Sequence, residues 1–133
     1  MLHGLKSETA RVGDALVCSF AGDMILDSEA TAAQALTAAL DQHPDLLAVD
    51  LAGVELFTST GLNLLLTARR RARDEGVALV LIAPSGMTLR VLEITETRPL
   101  FPVYDTPEGA LRALRHHPPR TPPVEALGPD ASE

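Results

Sequence analysis

Short apolar runs alternate with segments whose apolar residues recur at helical spacing, and this alternation predicts the fold class. Ala15-Leu16-Val17-Cys18-Ser19-Phe20-Ala21 reads as a strand closed by Gly22-Asp23. The stretch from Leu5 to Val12 before it suits an edge strand that returns through Gly13-Asp14. From Ser28 to Gln42, Ala32, Ala33, Leu36, Ala39 and Leu40 recur at helical spacing. Asp27 or Ser28 supplies the N-cap and Pro44 stops the helix.

Leu46-Leu47-Ala48-Val49-Asp50-Leu51 is almost continuously apolar, as expected of a strand covered on both faces of a parallel sheet. Thr58-Ser59-Thr60-Gly61 opens a second helix, Leu62 to about Glu75, ended by Gly76. Val77 to Ile82 is the clearest buried strand. Pro84-Ser85-Gly86 turns the chain into a third helix, about Met87 to Thr95. Leu100 to Tyr104 reads as a short strand. Thr106-Pro107-Glu108 starts a last helix with a Thr N-cap, Pro at the first helical position and an acid in the first turn. That helix runs to about His116. Strands alternating with helices imply right-handed crossovers and an α/β, largely parallel sheet.

Beyond this the picture changes at residue 118. Pro118, Pro119, Pro122, Pro123 and Pro129 dominate a segment with too few large apolar residues for a core. The expected organisation is therefore one domain over residues 1–117 and a disordered tail over 118–133.

Charge and composition remove several classes of function. A net charge of −7, no Trp and a single Tyr argue against a nucleic-acid partner and against an acidic membrane surface. With one cysteine, Cys18, no internal disulfide forms, and its apolar setting suggests a small core residue. Met1 to Ala10 has no apolar signal-peptide region, and no apolar run approaches the roughly 20 residues of a membrane span. A soluble, cytoplasmic protein is expected.

Catalytic chemistry has few candidates. His3, His43, His116 and His117 lack Cys or acid neighbours at metal-ligand spacing and read as surface histidines. There is no Gly-rich phosphate loop; Ala52-Gly53 lacks the glycines and lysine of a P-loop. Arg69-Arg70-Arg71 with Arg73 reads either as a phosphate contact or as a solvated face near a helix C-terminus, where cations are favoured.

The informative segment is Thr58-Ser59-Thr60-Gly61. One of its three hydroxyls is needed to cap the helix. The others stand just beyond the carboxyl end of a strand, where open parallel sheets meet ligands and partners. A helix N-terminus also stabilises an added phosphate.

Val49-Asp50-Leu51-Ala52-Gly53-Val54-Glu55-Leu56-Phe57-Thr58-Ser59-Thr60-Gly61-Leu62 resembles the signature of STAS-domain anti-sigma factor antagonists. The likeness continues through the arginine-rich helix to Gly76, Leu79 to Ile82, Pro84-Ser85, Val91-Leu92, Leu100 to Tyr104 and the closing helix. Gly22-Asp23 resembles the start of the family's "Gly-Glu-Leu-Asp" segment. Together these stretches cover about residues 5 to 116.

The resemblance implies a four- to five-stranded, mostly parallel sheet with helices packed mainly on one side. It implies no catalysis and no cofactor of the chain's own. Ser59 falls on the family's phosphoacceptor, with Thr60 as second candidate. Asp23, Thr58, Ser59, Thr60, Gly61, Leu62 and Asn63 fall on the partner-binding surface. The implied partner is an anti-sigma factor of the histidine-kinase-like ATPase type, which supplies ATP and magnesium. A serine phosphatase would reset the switch, and the chain would be a monomer or weak dimer. Two positions depart from the pattern: Thr58 replaces the acid before the phosphoacceptor, and Ile25, with Asp27 nearby, replaces the second acid of the early segment. These departures suit a rival reading, a non-cycling STAS scaffold or transporter-associated subunit. A rival from another class is a small flavodoxin-like nucleotide-binding enzyme.

Overall fold

A computed structural model describes residues 4–116. His3, His117 and the proline-rich tail lie outside the described residues. The sheet has five strands in the order β1-β2-β3-β4-β5: β1 Lys6–Val12, β2 Ala15–Met24, β3 Leu46–Phe57, β4 Ala78–Ile82 and β5 Val103–Tyr104. The helices are α1 Glu29–Asp41, α2 Ser59–Glu75, α3 Gly86–Ile94 and α4 Pro107–His116. β1 is antiparallel to β2, and the remaining pairs are parallel.

Each parallel crossover steps to the next strand in the same direction. Because such connections share one hand, their helices fall on the same face. The core reflects this. Leu16, Cys18 and Phe20 of β2 pack with Leu36 and Leu40 of α1, Leu62 and Leu65 of α2, and Leu92 of α3. Ala15 and Val17, pointing the other way, pack with Leu46, Ala48 and Val80 under Ala110 and Leu111 of α4. Three helices cover one face and one covers part of the other.

An unreversed strand order has a consequence for the site. A switch-point crevice needs neighbouring crossovers on opposite faces, and a flavodoxin-like sheet has the order 2-1-3-4-5. The order 1-2-3-4-5 contains no such point. The described fold therefore has no switch-point crevice beyond the strand ends, and Thr58 to Gly61 sit at the start of α2.

Several elements differ in extent from the sequence expectation. β3 runs on from Leu51 to Phe57, because register shifts in its pairing with β2 keep Val54 and Phe57 in the core. β5 contains only Val103 and Tyr104, since Pro99 helps wind residues 98–100 into a 3-10 turn and Pro102 has no N–H for a ladder. Helix α2 starts at Ser59, three residues before Leu62. Ser28 does not cap α1 with its side chain. Its hydroxyl instead donates to Asp23 O at 2.6 Å and accepts from Ile25 N at 3.0 Å, locking the turn after β2.

Candidate functional site

The start of α2 is built by Thr58. Its extended backbone, φ −113° and ψ −172°, turns β3 into the helix, and its Oγ1 accepts from the Thr60 N–H at 3.3 Å. The same hydroxyl and the Thr58 N–H both reach Met24 O, each at 3.3 Å. Thr58 thus caps α2 and ties its start to the end of β2. Ile25 follows Met24 directly. The two positions that depart from the family pattern are therefore neighbours in space, and both are uncharged.

Capping by Thr58 leaves the other hydroxyls differently placed. Ser59 is exposed and has no hydrogen-bond partner for its hydroxyl among the described residues. Thr60 is half-buried and Asn63 exposed, one turn further along the same surface.

Gly61 and Leu62 point inward. A Cβ on Gly61 would lie 2.6 Å from Cε1 and 2.8 Å from Cδ1 of Phe57. Only glycine lets that ring close the core beneath the helix start. The close approach at Gly61 is made by Phe57 of the same chain. Leu62 is 7% exposed and packs in the main core. Asp23 is likewise 7% exposed, beside Met24 at the end of β2. Of the seven residues singled out, the structure gathers all at the adjoining ends of β2, β3 and α2. It presents Thr58, Ser59, Thr60 and Asn63 to solvent and keeps Asp23, Gly61 and Leu62 inside.

Two side chains at this end were passed over in the sequence. Leu26 is 71% exposed and Leu56 47% exposed. Each stands two residues from an atom of the Thr58–Met24 contact. Their only signal in the sequence is an apolar residue where a polar one is usual, in the turn after β2 for Leu26 and at an exposed strand position for Leu56. A cleft of about 260 Å³ also runs between α1 and α2, with Asn63 near its start, Leu36, Leu64 and Ala68 along it, and Arg71 further on.

The arginines of α2 lie two to four turns from the site. Arg71 is held by Asp41 at 2.6 Å and by Glu75 at 2.7 Å, the hydrogen bond to Glu75 raising its pKa most. Arg69 donates to Leu100 O at 3.0 Å; partial burial and the nearby Arg73 both lower its pKa. Among the described residues no cluster of three His, Cys, Asp or Glu is arranged to hold a metal, and no helix is long and apolar enough to cross a membrane.

Fold and site together define a small, singly wound α/β module whose distinctive chemistry is a hydroxyl cluster at one helix start. The chain belongs to the STAS domain family, whose model matches residues 6–110. Solved structures agree. An anti-sigma factor antagonist from Mycobacterium paratuberculosis is 26% identical, with TM-score 0.77, the match covering 84% of this chain and 95% of that one. A STAS domain protein from Planctomyces limnophilus, also an anti-sigma-factor antagonist, is 24% identical with TM-score 0.71, covering 81% and 96%. The Bacillus cell fate determinant SpoIIAA in its phosphorylated form shares the fold at 17% identity and TM-score 0.64, covering 83% and 100%. No curated protein matches the chain in sequence.

Proposed function

We propose that this chain is an anti-sigma factor antagonist whose STAS domain, residues 1–117, binds an anti-sigma factor through the start of α2 and is released by phosphorylation of Ser59. The observation that carries the reading is the division of labour between two hydroxyls. Thr58 supplies the cap, which leaves the Ser59 hydroxyl exposed, unbonded among the described residues and free to react. The likeness to antagonists, and to SpoIIAA in a phosphorylated form, supports the same reading.

A phosphate on Ser59 adds about −1.5 to −2 charges. In the free protein the helix N-terminus stabilises it. Against a partner surface fitted to a hydroxyl, the dianion is desolvated without a prepared cation, and the complex weakens. Thr58, Thr60 and Asn63 meet the partner beside Ser59, and exposed Leu26 and Leu56 extend the contact with apolar area. Asp23, Gly61 and Leu62 hold the surface in shape from inside. The partner is an anti-sigma factor of the histidine-kinase-like ATPase type, which brings ATP and magnesium. A serine phosphatase resets the switch, and the cycle is cytoplasmic.

A second reading, a non-cycling STAS scaffold, draws on one observation: Thr58 and Ile25 stand side by side where the family has acids. Phosphate transfer separates the two. The full chain is incubated with candidate anti-sigma kinases and magnesium ATP, and the modified residue is mapped by mass spectrometry. Stoichiometric phosphate on Ser59 supports the switch. Binding without transfer to Ser59 or Thr60 supports the scaffold.

A further inference from the structure

The two edges of the sheet are unlike. β5 offers two residues, whereas β1 offers seven, all exposed but the last. Among the described residues no strand pairs with the outer edge of β1. β1 contains no Pro or Gly and pairs with β2 without a register shift. Long, regular edges of this kind pair with another strand unless something prevents it. The available guards are three charges: Lys6, Glu8 and Arg11.

We propose that β1 is a self-association surface, on which two copies of the chain pair β1 against β1, antiparallel, about a two-fold axis through Ser7. A two-fold axis normal to a sheet passes through a residue paired with its own copy. That residue therefore defines the register, and the charges discriminate among the choices. An axis at Lys6, Glu8 or Arg11 opposes that charge with itself. An axis at Thr9 sets Glu8 opposite Ala10 and Arg11 opposite Ser7. An axis at Ala10 sets Glu8 opposite Val12 and Arg11 opposite Thr9. An axis at Ser7 sets Lys6 opposite Glu8 of the second copy, and does so twice. Opposite charges facing each other across a strand pair stabilise it, and like charges destabilise it. Of the axes within β1, Ser7 alone gives complementary charge.

Within β1 this register pairs only residues 6–8 of each copy, with Thr9 opposite Leu5 just before the partner's strand, so the overlap is short. The dimer is therefore weak and concentration-dependent rather than obligate. One strand, β2, separates β1 from β3, whose end carries the start of α2. Pairing at β1 leaves Ser59 accessible, and the dimer carries two copies of the helix start in one particle. It is independent of whether Ser59 is ever phosphorylated.

Sedimentation equilibrium of the full chain from micromolar to millimolar concentration tests the surface. The wild type is expected to rise from the mass of one copy toward two. Lys6→Glu and Glu8→Lys should each hold the mass at one copy, and the double charge swap should restore the rise. Cross-linking tests the register. Cα atoms directly opposed in an antiparallel pair lie about 4.5–5.5 Å apart, within disulfide range. With oxidised glutathione as oxidant, Ser7→Cys should form covalent dimers and Thr9→Cys should not, Cys18 being buried. A single-copy mass at every concentration overturns the proposal. So does a double swap that fails to restore association, association that ignores both single swaps, or cross-linking as efficient at Thr9 as at Ser7.

Discussion

Thr58 and Ser59 are adjacent hydroxyls with opposite demands on them, and substitution separates the two. Thr58→Ala removes the cap of a 17-residue helix and a contact to β2. It is expected to cost about 1 kcal/mol. Ser59→Ala removes neither and should leave stability within about 0.5 kcal/mol of wild type. Urea unfolding of the two variants checks the division. In titrations against the anti-sigma factor, Ser59→Ala should bind like unmodified wild type and Ser59→Asp at least about tenfold more weakly. Equal binding by all three rejects the switch. Gly61→Ala sets two effects against each other: a helix-propensity gain of about 1 kcal/mol and a Cβ driven into the Phe57 ring. The ring lies in packed core and yields poorly, so a net loss of about 1–3 kcal/mol is expected. Cys18, fully buried, has its thiol pKa pushed up by burial, partly offset by a hydrogen bond from Thr9. A raised folded pKa means the unfolded chain ionises first. Its contribution to stability is intact below the ordinary thiol range near 8.5 and is lost as pH rises through the folded value. Thiol reagents at neutral pH should therefore react only as the protein unfolds, which a colorimetric thiol assay against urea would follow.

Among whole elements, helix ends show how local chemistry and tertiary demand divide the work. Gly76 ends α2 at φ 73°, in the left-handed region, with open space where a Cβ would stand. Gly86 opens α3 with no such constraint and equally open space. Gly76→Ala should therefore cost roughly 1 kcal/mol, whereas Gly86→Ala should be neutral or stabilise by up to about 1 kcal/mol. Thermal unfolding of the pair distinguishes backbone strain from packing, since neither site has neighbours to lose. The same contrast explains which boundaries were legible. Ser85 and Thr106 cap α3 and α4 as their positions suggest, at 3.3 Å to Thr88 N and 3.0 Å to Gly109 N. Ser28 looked equally suited to cap α1, yet its hydroxyl is drawn to Asp23 O, an acceptor that only the end of β2 brings within reach.

For the whole molecule, the order of strands sets where stability resides. β3 lies between two parallel neighbours, and its residues Leu46 to Val49 are buried. Amide exchange should be slowest there and in Leu79 to Leu81, and fastest in β1 and β5 at the edges. Exchange that is slower in β1 than in β3 would contradict this topology, unless the protein is concentrated enough for β1 to pair. The sequence by itself determined the α/β class, the order of elements and the resemblance around Thr58 to Leu62, because hydrophobic period and capping residues are local signals. It also located the hydroxyl cluster. It did not reveal which hydroxyl is occupied, since Met24 O reaches Thr58 only across the β2–β3 pair. Nor did it reveal that β3 continues to Phe57, because register shifts restore burial that period-2 counting loses. The absence of a switch-point crevice, the exposure of Leu26 and Leu56 beside the site, and the unmatched lengths of β1 and β5 likewise depend on which strands become neighbours. Tertiary structure alone decided those, because the hydrophobic pattern specifies which faces are buried and leaves open what they are buried against.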